Sequence, residues 1–212
     1  YKNILAPMAD FTGIVKGAET FFNCAGMQHP RHTKDIYDVN TQGPFNLLKV
    51  CIPAHVKNFI HISSSTVCGS NNDSLPLTEN SSSIGYTHYT KSKIMGDELL
   101  LKLANQGTKV IIIMPTVFYG SPPSENLSTL LSLLKSGKKL PLIGKEGTLR
   151  SYVDIDTVIA AMLAAETKGN SGDRYLISDK NPLTTKQFYE SLARGLGTNT
   201  HFLQLPLVMA RM

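Results

Sequence analysis

The 212-residue chain has no run of about 18 apolar residues, the length that a membrane-spanning helix needs. Its start, "YKNILAPMAD", has no basic flank followed by an apolar core, so no secretory leader is expected. Cysteine is scarce. Cys24, Cys51 and Cys68 form an odd set with no C-x-x-C pair, which speaks against a disulfide framework. Cys24 and Cys51 stand among apolar residues and are expected to be buried free thiols in a reducing, cytoplasmic setting. The six histidines show no ligand spacing with cysteine or carboxylates, so no metal site is expected. No G-x-S-x-G occurs, which removes the hydrolase nucleophile turn. The net charge is +5, but the basic residues are scattered and their densest clusters, "KSGKK" and "KSK", are short. A nucleic-acid partner would need a concentrated basic face, so none is expected. No membrane partner is expected for this segment either.

What is present is a series of short apolar runs. "TFFNCA" (20–25), "NFIHISS" (58–64) and "KVIIIM" (109–114) are bounded by small, polar or turn residues and read as buried strands. They are near-continuous rather than alternating, as in a parallel sheet covered on both faces. Helical patterns lie between them, in "DVNTQGPFNLLKVCIPAHV" and over residues 88–105. Strands alternating with helices predict an α/β fold, a Rossmann-like doubly wound parallel sheet with right-handed crossovers. After Tyr119 the character changes. Residues 1–120 read as a partial nucleotide-binding domain. Residues 121–212 read as a mixed substrate-binding lobe interleaved with the sheet. In that lobe, "YVDIDTVIAAMLAAE" predicts a short strand and a helix capped by Asp156 or Thr157. "LTTKQFYESLARGLG" predicts a helix started by Thr184 or Thr185 and stopped by Gly195 or Gly197.

The stretch "YTHYTKSKIMGDELL" (86–100) holds two tyrosines and two lysines. On a helix, residues four apart share a face, and only Tyr89 and Lys93 meet that spacing. A free tyrosine titrates near pH 10, so ionising it near pH 7 takes roughly three pH units, about 4 kcal/mol. One positive charge ~4 Å away at an effective dielectric of ~20 supplies on the order of that amount. Y-x-x-x-K alone is a weak motif. Its setting strengthens it, because "FIHISSSTVCG", about 25 residues upstream, is an apolar strand ending in hydroxyls. Those hydroxyls fall at the carboxyl edge of a parallel sheet, where open α/β folds bind ligands. The ends of "FFNCAG" and "IIIMPTVFYG" fall on the same edge.

With these pieces in order, the chain resembles the extended short-chain dehydrogenase/reductase family. "FFNCAG" looks like its strand and small-residue turn, and "DVNTQGPFNLLKVC" like its following helix. "ISSSTVCG" looks like its serine strand, "YTKSK" is its Y-x-x-x-K, and "MPTVFYG" looks like its later turn. The nearest flavour is the branch of 3β-hydroxysteroid dehydrogenases and dihydroflavonol-reductase-like enzymes. The resemblance implies NAD or NADP as cofactor. Tyr89 would be the general acid/base, with Lys93 binding the nicotinamide ribose and lowering the Tyr89 pKa. Ser64 would hold the substrate oxygen, and Asn40 would support the helix and strand, through a bound water. Cys24, Ala25 and Gly26 would meet the cofactor through backbone, and Pro115 and Val117 would flank the nicotinamide. Ser65 and Thr66 would line the substrate side, and Arg150 matches a position that holds a diphosphate in nucleotide-sugar members. A homodimer through helices 38–56 and 88–105 is the expected protein partner.

There are departures. Met114 replaces the usual Arg before Pro115, and Thr157 replaces a usual Asp. The family's G-x-x-G-x-x-G loop, which cradles a pyrophosphate at a helix N-terminus, is absent. The chain also lacks an initiator Met, so it is expected to be part of a longer one, with about 60 residues upstream holding that loop. Three readings follow. The first is an NAD(P)-dependent oxidoreductase interconverting a secondary alcohol and a ketone on a hydrophobic, steroid-like substrate. The second is a nucleotide-sugar epimerase or dehydratase, and the third a non-catalytic reductase-like subunit of a larger assembly.

Overall fold

The computed structural model describes residues 9–69, 76–81, 85–144 and 146–206. Its elements run α1 (Ala9–Val15), β1 (Thr20–Asn23), α2 (Thr33–Tyr37), a π-turn (Asp38–Gln42), α3 (Gly43–Cys51) and β2 (Asn58–Ile62). A 3₁₀ turn (Ser65–Cys68), α4 (His88–Lys102), β3 (Lys109–Pro115), β4 (Val117–Tyr119), α5 (Glu125–Lys135) and β5 (Leu140–Ile143) follow. The chain continues through β6 (Leu149–Arg150), β7 (Tyr152–Asp154), α6 (Ile155–Lys168), β8 (Arg174–Ile177), β9 (Leu183–Thr184), α7 (Thr185–Gly195) and β10 (Phe202–Leu205).

Four strands form one parallel sheet in the order β1-β2-β3-β8. β3 is buried from Val110 to Pro115, and both of its faces are covered. On one face Val110 packs with Leu100 of α4 and Phe59, while Ile112 and Met114 pack with Ile94 and Leu101. On the other, Ile113 shares an apolar cavity with Ala161, Ala164 and Ala165 of α6, and Ile111 lies against Gly169. A strand between two helical layers has no wet face, so its sequence cannot alternate. This is the Rossmann-like, doubly wound α/β architecture that the three runs predict.

Contacts divide the chain into two compact units, residues 1–116 with 157–177, and 117–156 with 178–212. Residues 157–177 belong to the first unit because β8 completes the sheet beside β3. In the second unit β4 pairs β7, β5 pairs β10 and β6 pairs β9. Its core gathers Leu127, Tyr152 and Phe188, with the last two rings stacked at 3.9 Å. Helix α7 opens with a reciprocal cap. The Thr184 hydroxyl accepts from Gln187 N–H at 3.2 Å, and the Gln187 side chain accepts from Thr184 N–H at 2.8 Å. Helix α6 is capped by neither Asp156 nor Thr157. Asp154 takes that role, accepting from Asp156 N–H at 2.8 Å, because the helix begins directly at the end of β7.

Candidate active site

Parallel pairing brings the carboxyl ends of β1, β2 and β3 to one edge of the sheet in the first unit. β1 ends at the buried Asn23, whose side-chain oxygen accepts from Ala25 N–H at 3.2 Å and turns the chain through Cys24, Ala25 and Gly26. Cys24 is exposed, against the expectation of a buried thiol, because it lies past the strand's end where the chain leaves the core. Cys51 and Cys68 are buried free thiols.

Asn40 is wholly buried in the π-turn and clamps this edge together. Its side-chain oxygen accepts from Met27 N–H at 2.7 Å. Its amide donates to Met27 O at 2.8 Å and to Ser92 Oγ at 3.0 Å. Asn40 therefore meets the strand turn and α4 directly. π-turns inside helices are rare and cluster at functional sites. Here the reason is local. Gly96 lets α4 approach so closely that a Cβ there would overlap the Asn40 carbonyl oxygen. Ser92 Oγ donates in turn to Tyr89 O at 2.8 Å, and Thr41 Oγ1 donates to Ser92 O at 2.8 Å.

At the end of β2, Ser64 caps the 3₁₀ turn, with its hydroxyl accepting from Thr66 N–H at 3.3 Å and lying 3.0 Å from Thr66 Oγ1. Gly69 closes this turn at φ +99°, a conformation that favours glycine. Helix α4 starts one residue before Tyr89, with Thr87 Oγ1 accepting from Thr90 N–H at 3.1 Å. The Tyr89 phenol is half-buried, and the Ser64 hydroxyl is near enough to favour its ionised form. Ser65 and Thr66 lie beside them in the same turn, Ser65 half-buried and Thr66 exposed.

Lys93, one turn along, is 3% exposed. Its ammonium donates to Ile62 O at 2.7 Å and lies 3.4 Å from His61 Nε2. Burial holds its amine down to about 8, with the Asp97 carboxylate acting against that fall. The expected lowering of Tyr89 by Lys93 is not what the structure shows. Burial, the largest effect, raises the phenol above its ordinary value, with the nearby Ser64 hydroxyl opposing and Asp97 adding. The physical reason is direction, because the ammonium is turned into the interior onto a backbone carbonyl.

Pro115 is buried at the end of β3. Val117 and Arg150 belong to the second unit, where Val117 opens β4 and the exposed Arg150 pairs with Leu183 across β6 and β9. Among the described residues no group of three His, Cys, Asp or Glu side chains is placed to hold a metal ion, and no helix is long and apolar enough to cross a membrane. No residue of this chain supplies a glycine-rich pyrophosphate loop.

Sequence reasoning missed the polar layer beneath this edge, made of Asn23, His61, Ser63, Lys93 and Asp97, all buried. Two periodicities could have found it. Alternation puts residues 59, 61 and 63 of the second strand on one face, and helical spacing stacks Asp97 one turn beyond Lys93.

The family model described as "Epimerase: NAD dependent epimerase/dehydratase family" matches residues 6–178. UDP-glucose 4-epimerase of Vibrio cholerae is 28% identical over 207 residues, covering 93% of this chain and 63% of that protein. The 3beta-hydroxysteroid-dehydrogenase/decarboxylase isoform 2 of Arabidopsis thaliana is 26% identical over 227 residues, covering 96% of this chain and 39% of that protein. A double mutant of dTDP-glucose 4,6-dehydratase from Streptomyces venezuelae, solved with NAD and DAU bound, superposes with a TM-score of 0.84. It is 22% identical and covers 97% of this chain and 66% of that one, a likeness of fold. The chain thus spans less than two thirds of the curated relatives it resembles.

Proposed function

The chain belongs to the NAD dependent epimerase/dehydratase family, and from that premise we propose that it carries the acid/base half of an NAD(P)-dependent oxidoreductase. The reaction interconverts a secondary alcohol and a ketone on a hydrophobic, steroid-like substrate. The supporting observation is that Ser64, just past the carboxyl end of β2, and Tyr89, in the first turn of α4, are neighbours at the edge of the sheet, with the Lys93 ammonium buried one helical turn away.

The residues present fit the nicotinamide-ribose end of such a cofactor. Lys93 has three N–H donors, one of them placed on Ile62 O, and turned toward the sheet edge its ammonium would offer donors to a pair of ribose hydroxyls. The exposed turn through Cys24 and Gly26 offers backbone at the adjoining strand end. When bound, NAD(P) supplies or accepts the hydride. Ser64 would hold the substrate oxygen by hydrogen bond. Tyr89, whose raised pKa keeps the phenol protonated at neutral pH, would give that oxygen its proton in the direction of reduction. In the direction of oxidation the phenolate is required, and a nearby cation would lower its cost. Asn40 holds the Met27 turn and α4 in register around these groups. In full-length protein, Tyr89→Phe is expected to cut turnover by at least about 100-fold, the scale of a positioned acid/base, while leaving cofactor affinity intact. Turnover unchanged in Tyr89→Phe would end this reading.

The likeness to the Vibrio cholerae epimerase supports a second reading, in which the same three residues serve a nucleotide-sugar epimerase or dehydratase. The exposed guanidinium of Arg150 suits a diphosphate, since its planar fork pairs two oxygens at once. Affinity for a UDP-sugar that disappears in Arg150→Ala separates this reading from the first.

A further inference from the structure

His88, Ser92 and Gly96 stand four residues apart on α4 and so share one face. That face meets the segment that runs from the end of α2 through the π-turn, and the contacts follow in order along it. Gly96 lies against the Asn40 backbone. One turn earlier, Ser92 Oγ accepts from the Asn40 amide at 3.0 Å, and Ser92 O accepts from Thr41 Oγ1 at 2.8 Å. One turn earlier again, the Tyr37 hydroxyl lies 2.9 Å from His88 Nδ1. The two rings meet edge to face, with centroids 5.9 Å apart. A phenol is a stronger acid than the N–H of a neutral imidazole, so the hydroxyl donates and Nδ1 accepts. Tyr37 closes α2 and directly precedes the π-turn, so the side chains at 37, 40 and 41 come from about one turn of chain.

His88 and Tyr89 are the first two residues of α4. A helix frays first at its ends, where four N–H groups have no partner inside the helix. Thr87 caps this turn from its own stretch of chain, its Oγ1 accepting from Thr90 N–H at 3.1 Å. The Lys91 stem lies over Gly85, which ties neighbouring residues only. The Asn40 clamp acts at Ser92 and Gly96, beyond the first turn. Tyr37 reaches this turn from another element. Resting on the reading of Tyr89 given above, we propose that Tyr37 and His88 are positioning residues for Tyr89: their hydrogen bond pins the first turn of α4 and so fixes where the phenol stands at the sheet edge.

The pair acts through the backbone of α4. His88 and Ser92 lie on the flank toward α2, whereas Tyr89 is about 100° further round the helix. Lys93, one turn beyond Tyr89, is on the flank that meets Ile62 of the sheet. His88 is exposed and Tyr37 half-buried, so water replaces part of what is lost when the bond breaks. The fold therefore survives without it. Placement of a proton donor is more demanding than folding, because a misplacement of about 1 Å can cost on the order of 100-fold in rate. A weak tie at the first turn suffices for that task, since it only has to suppress fraying of a turn that Thr87 already caps.

The test is amide hydrogen exchange in the full-length protein without cofactor. It is read at Lys91 N–H, which donates to Thr87 O at 2.9 Å and closes the first turn. Tyr37→Phe keeps the ring and removes the hydroxyl. It should speed exchange at Lys91 by about 2- to 10-fold, the factor of one net hydrogen bond. Leu103 N–H, at the far end of α4, donates to Leu100 O at 3.0 Å, and its opening leaves the pair intact, so its rate should not change. His88→Leu should act like Tyr37→Phe. His88→Asn, whose side-chain oxygen takes the place of Nδ1, should restore part of the protection. Tyr37→Phe and His88→Leu combined should be no faster at Lys91 than the faster single variant. In tyrosine-labelled protein, the ring signals of Tyr89 should shift in Tyr37→Phe, although the two rings belong to different elements. Unchanged exchange at Lys91 in Tyr37→Phe, equal acceleration at Lys91 and Leu103, or unmoved Tyr89 ring signals each overturns the proposal. None of these readings depends on turnover. Full activity in Tyr89→Phe would remove the proposed reaction while leaving the pin to be decided at Lys91. Where turnover is measured, kcat should fall by at least about 3-fold in Tyr37→Phe with cofactor affinity unchanged, a small part of what a misplacement of about 1 Å costs. Wild-type kcat in Tyr37→Phe would overturn the link to Tyr89.

Discussion

Replacing Asn40 by alanine is the most informative single perturbation of the scaffold. The side chain is wholly buried and makes three hydrogen bonds: from Met27 N–H at 2.7 Å, to Met27 O at 2.8 Å and to Ser92 Oγ at 3.0 Å. Each is worth about 1 kcal/mol net, and a partner left buried without one costs about 1–3 kcal/mol. The three partners do not suffer alike. Met27 is half-buried, so water can satisfy part of what Asn40 leaves. Ser92 is sealed, but its hydroxyl still donates to Tyr89 O. The sum is a loss of about 2–4 kcal/mol, a large share of the ~5–15 kcal/mol of a typical domain. At a urea slope of ~2 kcal/mol/M this moves the unfolding midpoint down by about 1–2 M with the slope unchanged. Asn40→Asp sharpens the test. It keeps an acceptor for Met27 N–H but turns an acceptor toward Met27 O and Ser92. At neutral pH it should be no better than alanine, although it is nearly isosteric. A midpoint shift below about 0.5 M for Asn40→Ala, or an Asp variant as stable as the wild type, would refute the clamp.

Three further outcomes follow from the same geometry. Gly96→Ala pits two effects of opposite sign against each other: helix propensity favours alanine by about 1 kcal/mol, but its Cβ would overlap the Asn40 carbonyl oxygen. Backbone cannot swing aside, so a net loss of about 1–3 kcal/mol is expected in thermal or urea unfolding, and a gain in stability would show that α4 is free to move. Ile112→Ala, in the fully buried centre of β3, should cost about 2–5 kcal/mol with no change in any ligand affinity. Stability should also depend on pH through the buried pair, because Asp97 is raised to about 6 and Lys93 lowered to about 8. The Asp97 contribution is full below about pH 4 and lost as pH rises through 6, whereas that of Lys93 is absent below 8 and gained toward about pH 10.4. Urea unfolding at pH 5 and pH 7 should therefore show the wild type gaining on Asp97→Asn as pH falls, by on the order of 1 kcal/mol, and no relative gain would contradict the raised carboxyl.

The fold was legible because parallel strands buried on both faces leave an unmistakable imprint. "KVIIIM" has no polar alternation, and β3 has no exposed face from Val110 to Pro115. That Tyr89 and Lys93 share one helix a turn apart was legible because helical spacing is local, whereas the choice of Ser64 among the hydroxyls ending the strand came from the family resemblance. Direction was not legible. Spacing placed Lys93 beside Tyr89 along the helix, but the ammonium turns inward to Ile62 O, a choice made by a carbonyl 31 residues away. The π-turn was hidden for the same reason, since it exists where Asn40 and Gly96 meet across 56 residues of chain. Cys24 was misplaced because its apolar neighbours precede it in β1, and the strand ends before it. His61 was overlooked because histidines were sought in metal-ligand spacing, whereas its partners come from β1 and two points on α4. The second half was read as a lobe interleaved with the sheet, but the sequence carries no sign of which residues return, and these are the ones that pair β8 with β3.

The inward turn of Lys93 changes what the proposed reaction demands of the site. A phenol held above its ordinary value by burial is an acid at neutral pH, so the resting arrangement suits proton donation to a ketone oxygen without further adjustment. Running the other way needs a phenolate, which costs at least about 4 kcal/mol at pH 7. With the Lys93 charge held at the Ile62 carbonyl, the phenol stays above its ordinary value, burial being the largest cause. The cation must come within about 4–6 Å of the hydroxyl to shift it by 1–3 pH units. Leaving the carbonyl gives up one charge-assisted hydrogen bond, worth about 1.5–3 kcal/mol, unless another acceptor replaces it. Ribose hydroxyls at the edge would be such acceptors. Cofactor binding and activation of Tyr89 are then coupled through one side chain. The observable consequence is that oxidation should be the more pH-dependent direction, rising with pH until Lys93 loses its proton near pH 8, while reduction stays flat across neutrality. Equal pH profiles in the two directions would mean that Lys93 does not move between the two roles.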